Sequence, residues 1–369
     1  MDIKNIVGNQ NKMSIIIKND TLEFRLNFSE FDSANMQFIF KDSEDIIKAL
    51  FEYNLNINEM NDTSNYEIHL LYNKNFAENN IFQVFDDEIR LGWIFPLQAI
   101  VSKNHDYAEN KHFLNYAYVA FLKLLSESEK LGLNNLNYRE DCNYKLEDLF
   151  DIESTHVFIT SNSNTQQISG YDYRKYIPSL YDIGYLPKYG NNSKEICGDK
   201  KLRVNKLSSE LSKEVFITYL FNEVLVDTSH HLVKFYMLYQ VIELLIEKIF
   251  NSELTIMLDG LSKDEKNLFQ VKEDLGKLAN ESERIRKLFN QYSSHHESRN
   301  ELKKLCNTLL ESIGRDKKNS PEKALYSIRN LYVHDYRSIP VEHESKIEQI
   351  NIVFEKVVIE TIHTFNLTN

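Results

Sequence analysis

Ser320-Pro-Glu-Lys-Ala-Leu-Tyr-Ser-Ile-Arg-Asn-Leu-Tyr-Val-His334 reads as the start and body of a helix, and the rest of the chain is organised outward from it. Ser320 stands where an N-cap is wanted, and Pro321 takes the first helical position, where its missing N–H costs little. Leu325, Ile328, Leu331 and Tyr332 make one apolar side. Asn330 and His334, four apart, share a face, and Arg337 falls on nearly the same side if the helix continues. Arg329 and His334 are five apart and so project about 140° from one another, which aims them poorly at one phosphate from a single chain.

On either side the pattern stays helical. Ser208 to Val226 predicts one helix, and Asp227-Thr-Ser caps a second in which Leu232, Phe235, Tyr239, Ile242, Ile246 and Ile249 share a face. Residues 264–291 and 298–312 predict two more, and Gly314 to Ser320 separates them from the quoted helix. Pro340 closes that region, and Glu342 to Phe365 predicts a last helix with Ile347, Ile350, Phe354, Val357 and Val358 inward. An all-helical bundle over residues 205–369 follows.

The first 204 residues have a different period. Met13–Ile17, Thr21–Phe28, Met36–Phe40, Tyr66–Tyr72, Ile81–Phe85 and Ile89–Phe95 alternate, or form short β-branched and aromatic runs between turn residues, which predicts strands. A helix is expected over about 43–53, and an amphipathic one over 106–131, where Phe113, Tyr116, Ala117, Ala120, Phe121, Leu124 and Leu125 recur at three and four. Gly132 is its expected stop. The stretch 161–204 is loop-rich; its Tyr171, Tyr173, Tyr176, Tyr181, Tyr185 and Tyr189 either pack an irregular segment on the body or offer a stacking surface to a base. The fold class is α+β: a β-rich or mixed α/β domain over 1–204, then the helical bundle.

Composition narrows the function classes. The chain has 369 residues, more than one core usually serves, with 42% apolar and 27% charged residues and few Gly or Pro, as in a folded protein. No apolar run approaches the roughly 20 residues of a membrane span, and the first residues lack the order of a signal peptide, so a cytoplasmic protein without a membrane partner is expected. Cys142, Cys197 and Cys306 are too far apart for a disulfide framework or a usual zinc site. The pairs His230-His231 and His295-His296 lack metal-site spacing, and no Gly-rich phosphate loop occurs, so no metal and no cofactor is expected.

Net charge is −12, yet residues 231–369 carry 20 Lys and Arg against 21 Asp and Glu. The C-terminal part therefore repels a phosphate backbone least, and any nucleic-acid contact has to be local. Lys317, Lys318 and Lys323, with Arg315, form the basic cluster nearest the motif, either steering a phosphate backbone toward it or simply solvated.

The polar groups of residues 329–334 are those that RNA cleavage without a metal requires. An imidazole can take the proton of a ribose 2′-OH or return one to the leaving 5′-oxygen, and a guanidinium can hold charge developing on phosphate. Asn330 can orient either partner. Glu243, at the border of the apolar face of the 230–250 helix, can hydrogen-bond Arg329 or His334.

Arg329, a polar Asn330, three residues and then His334, near the N-terminal part of a late helix in a helical domain, resembles the Arg-x(4-6)-His signature of the HEPN ribonucleases. The resemblance covers about 205–369. It implies that Arg329, Asn330 and His334 are the catalytic set, with Glu243 as the acidic residue that some of the family carry on an early helix, and that two protomers join their motifs across a homodimer interface; Arg337 is expected to support them from its place on the helix face. It further implies an RNA substrate, tRNA included, and an abortive-infection effector of bacterial anti-phage defence of the ApeA-like type, with residues 1–204 sensing a phage-derived or small-molecule trigger. The alternative is a non-catalytic dimeric binding or regulatory module in which the Arg-Asn-His strip only completes an interface.

Overall fold

In a computed structural model the described residues are 13–18, 21–26, 38–40 and 49–51, and then 63–367 without 74–76, 78, 102–103, 127–142, 146–149, 191–195, 197–199, 264–266, 295 and 341–342. Gly132 and His295 lie outside them, as do residues 43–48 and 52–53 of the helix expected there. Contacts divide the chain into two units, Met1–Asp172 with Ile183–Val204, and Tyr173–Asp182 with Asn205–Asn369.

The described residues of the first unit form three sheets. Strands β1 (Met13–Lys18), β2 (Thr21–Leu26) and β8 (Asn143–Lys145) form one, in the order β1-β2-β8, and β3 (Phe38–Phe40) pairs with β4 (Ala49–Phe51) in another. Residues 49–51 are thus extended where the period predicts helix: Ala49, Leu50 and Phe51 lie opposite Phe40, Ile39 and Phe38, and cross-strand pairing overrides a weak local preference.

The principal sheet is five-stranded and mixed, ordered β10-β6-β7-β9-β5 from β5 (Tyr66–Tyr72), β6 (Phe82–Asp86), β7 (Ile89–Pro96), β9 (Thr155–Ser161) and β10 (Lys201–Arg203). Only the β10–β6 pair is parallel; the β6–β7, β7–β9 and β9–β5 pairs are antiparallel. Helix α1 (Lys111–Ser126) begins where Asn110 Oδ1 accepts from the Phe113 N–H at 3.0 Å, and buries Phe113, Tyr116, Ala117, Ala120, Phe121 and Leu124. The Phe113 ring meets Trp93 and Phe95 of β7 edge-on, at 5.5 and 5.2 Å between centroids, which fixes the helix on that face of the sheet.

The second unit is helical. Its elements are α2 (Ile177–Ile183), α3 (Val215–Tyr219), α4 (His231–Ser262), α5 (Leu268–Leu278), α6 (Glu281–Asn290), α7 (Ser298–Ser312), α8 (Pro321–His334) and α9 (Glu344–Thr364). Residues Tyr173–Asp182 belong here because Tyr176 and Tyr181 are buried, Tyr181 donates to Glu355 at 3.1 Å, and the Leu207 N–H reaches the Lys175 carbonyl at 2.9 Å. Packing, not display, is the fate of Tyr176, Tyr181 and, in the first unit, Tyr185; Tyr189 alone among the six is largely exposed.

Three boundaries differ from the periodic reading. The 208–226 stretch is a 3-10 turn at Ser209–Leu211, then α3 running through a π turn at Leu220–Val224 into Leu225–Asp227. Thr228 Oγ1 donates back to the Val224 carbonyl at 2.6 Å, so it closes this helix instead of capping α4, whose N-cap is His230. The 264–291 stretch is split at Asn280, whose side chain accepts from the Glu283 N–H and starts α6. Gly314, at φ +73°, closes α7, and the Arg315 N–H returns to the Leu310 carbonyl at 2.8 Å. Among the described residues no helix is long and apolar enough to cross a membrane.

Candidate functional site

Helix α8 packs on α7 and α6, and carries the motif in its last two turns. The resemblance expects the motif near the start of its helix; here Ser320 and Pro321 start α8 eight residues before Arg329. Ser320 sits at the N-cap, yet its hydroxyl donates to the buried Glu322 carboxylate at 2.5 Å instead of accepting from the helix. Ala324, Leu325, Ile328, Leu331 and Tyr332 are buried and hold the helix in the bundle. The Tyr332 ring stands edge-on to Phe235 of α4 at 4.6 Å, which docks the end of α8 against α4.

That docking sets the surroundings of Arg329. Its Nη1 donates to Asn330 Oδ1 at 3.2 Å, and its Nη2 lies 3.6 Å from Glu243 Oε1, an ion pair longer than a hydrogen bond. Glu243 also accepts from Gln240 Nε2 at 2.6 Å. Beneath the guanidinium lies Tyr239, with Cζ of Arg329 at 5.8 Å from the ring centre, and the Tyr239 hydroxyl donates to Glu281 Oε1 at 2.7 Å. Burial first, and the bond to Glu281 second, push the Tyr239 phenol far above its ordinary pKa, so it is neutral at any physiological pH. Burial does the same to Tyr332.

His334 is the last residue of α8; it is exposed, and its ring makes no hydrogen bond or ion pair among the described residues. Asp335 then leaves the helical conformation, with φ −130°, and Tyr336–Ser338 form a 3-10 turn. The helix therefore does not carry Arg337 onto the face of Asn330 and His334 by α-helical spacing; Arg337 is exposed on the turn beyond.

The basic cluster is spread along the flank. Arg315 Nη2 binds Asp335 Oδ2 at 2.7 Å, which ties the Gly314–Ser320 loop beside His334. Lys317 pairs with Glu311 at 2.7 Å, an exposed pair of little energetic consequence. Lys318 is half-buried with its backbone held by Asn307, and Lys323 is exposed in the first turn of α8, about 16 Å along the helix from His334.

The geometry thus gathers Arg329, Asn330 and Glu243, and leaves His334 and Arg337 facing solvent. It adds Tyr239 and Glu281, which the apolar period counts as core and surface. Tyr239 and Glu243 are four apart on α4, and that shared face is the signal that joins them. Among the described residues no group of three or more His, Cys, Asp and Glu is placed to hold a metal ion. Comparison with protein-family models, with curated proteins and with solved structures finds no match to this chain.

Proposed function

We propose that the protein is a metal-independent endoribonuclease whose site is completed by two copies of α8. The observation that carries this reading is one half-buried, anchored guanidinium, Arg329, on the same helix end as one exposed, unengaged imidazole, His334. An amide and a carboxylate hold the first in place; the second is accessible to a substrate proton.

The five-residue spacing directs the two groups apart, so a second copy supplies the missing partner for each. In the reaction one His334 imidazole takes the 2′-OH proton as the 2′-oxygen attacks phosphorus. The P–O5′ bond breaks, and an imidazolium returns a proton to the 5′-oxygen. The products are a 2′,3′-cyclic phosphate and a 5′-OH. Arg329 holds the charge that develops on the non-bridging oxygens. In this reading Lys317 and Lys318, on the loop that Arg315 ties to Asp335, draw the RNA backbone toward His334.

With the HEPN resemblance, this supports a toxin-like effector of anti-phage defence, tRNA among its targets and a trigger read by residues 1–204. The test is cleavage of single-stranded RNA and of tRNA in EDTA, with end-group analysis. Wild type is expected to yield cyclic phosphate ends, and His334→Ala or Arg329→Ala to lose at least about 100-fold in rate while remaining folded. Cleavage by His334→Ala at the wild-type rate would sink the assignment.

A second reading follows from the same ion pair. Glu243 partly neutralises Arg329, as an arginine that only completes an interface requires. Loss of self-association in His334→Ala, with no cleavage of any RNA by wild type, would favour this binding module.

A further inference from the structure

We infer that Tyr239 is the positioning residue for Arg329: its ring is the platform that fixes where the guanidinium presents its charge. The inference rests on the nuclease reading for its consequence in activity, but on geometry alone for the placement itself.

Arg329 is a long, rotamer-rich side chain, and its polar contacts with Asn330 and Glu243 restrain it only in part. The Glu243 contact at 3.6 Å is a loose ion pair, and the bond to Asn330 comes from a neighbouring side chain on the same turn. The Tyr239 ring is different in kind. It is 1% exposed, so packing alone fixes the ring, and its hydroxyl also donates to Glu281 of α6 at 2.7 Å. Phe235 stacks beside it at 5.9 Å and 19°, and Phe354 of α9 flanks it at 6.4 Å.

The guanidinium carbon lies 5.8 Å from the centre of this fixed face, within the range where the ring quadrupole attracts a cation. Arg329 is thus held from below by a rigid aromatic of α4 that α6 and α9 immobilise. Asn330 and Glu243 set its rotation, and Tyr239 sets its height above the bundle. An arginine so placed stays ordered before a phosphate arrives, and less freedom is lost when it binds one.

The test compares Tyr239→Phe, Tyr239→Leu, Arg329→Ala and the Tyr239→Leu/Arg329→Ala double variant, each checked for folding by circular dichroism and thermal melting. Two readouts are used: RNA cleavage in EDTA, and affinity for a 2′-deoxy oligonucleotide that cannot be cleaved.

Tyr239→Phe keeps the ring and is expected within about two-fold of wild type in kcat. Tyr239→Leu is expected to lose about ten-fold in kcat and in oligonucleotide affinity, the factor that removal of a partly desolvated cation–π contact gives. In the double variant affinity should equal that of Arg329→Ala alone, because Tyr239 acts only through the arginine.

Wild-type kcat and affinity in a folded Tyr239→Leu, or losses that add in the double variant, would overturn the inference. Where Tyr239→Leu does not fold, the ring-shifted Arg329 side-chain resonances decide. They are expected in Tyr239→Phe as in wild type, and their absence from both overturns the placement. A wild type that binds the oligonucleotide but cleaves no RNA refutes the nuclease reading and leaves the affinity cycle to judge Tyr239.

Discussion

A single buried cation, Arg299, shows how much one side chain carries in the helical unit. It is 1% exposed, donates to the Phe289 carbonyl at the end of α6 and to Ser293 Oγ at 2.8 Å, and lies over the Phe289 ring at 4.6 Å. Burial lowers its pKa to about 10, opposed by Glu360, so it stays charged at neutral pH. Arg299→Met removes the partner of a buried carbonyl and a hydroxyl together. A loss of about 3 kcal/mol is expected, read as a lower urea midpoint with far-UV circular dichroism; an unchanged midpoint would remove Arg299 from the structural account. Such contacts explain why the candidate site was only partly legible in the sequence. Arg329, Asn330 and His334 are visible because their spacing is local, and Glu243 because it borders an apolar stripe. Tyr239 is hidden because a tyrosine in such a stripe reads as core, and only the packing of α8 on α4 puts its ring under Arg329.

At the scale of elements, Gly92 decides whether the principal sheet closes. It lies in β7 opposite Thr160, beside the bulge between Val84 and Phe85 of β6, and a Cβ there would stand 1.8 Å from the Ile159 carbonyl oxygen. Backbone, not a flexible side chain, occupies that space. Gly92→Ala is therefore expected to force β7 and β9 apart and cost about 3 kcal/mol or more, with exposure of Trp93, the only tryptophan, as a red-shifted emission. Retention of the wild-type spectrum and midpoint would refute it. The strand beside it was also the hardest to read. Thr155–Ser161 is buried at every position, so it has no alternation, and seven residues without a period are as easily loop or helix. Strands β5, β6 and β7 were legible because turn residues bound them. The single helix expected over 264–291 failed for a related reason: period alone does not show Asn280 capping a new helix in the middle of a charged run.

At the scale of the whole molecule, each unit holds a histidine kept neutral by its surroundings, and this couples both to acid. His156 of β9 is fully buried with Nδ1 at 3.4 Å from the Ser154 carbonyl and its ring edge-on to Tyr185; burial lowers its pKa to about 4, against a smaller rise from the backbone contact. His363 of α9 is lowered to about 4 by burial in the helical unit. Above pH about 6.5 neither folded nor unfolded chain binds a proton at these rings, and their contribution to stability is complete. Between about 6.5 and 4 the unfolded chain takes the proton and the folded one does not, so stability falls as pH falls; below about 4 both bind it and the loss levels off. For His156 the full loss is about 3 kcal/mol. Trp93 reports the first unit, because it lies inside the same sheet. Urea unfolding followed by its emission should show a midpoint that drops from pH 7 to pH 4.5 in wild type. His156→Leu should flatten that slope whatever its effect on stability at pH 7, and His363→Leu should flatten only the transition of the helical unit followed by far-UV circular dichroism. Equal slopes in wild type and His156→Leu would mean that the acid sensitivity of the first unit lies in other groups.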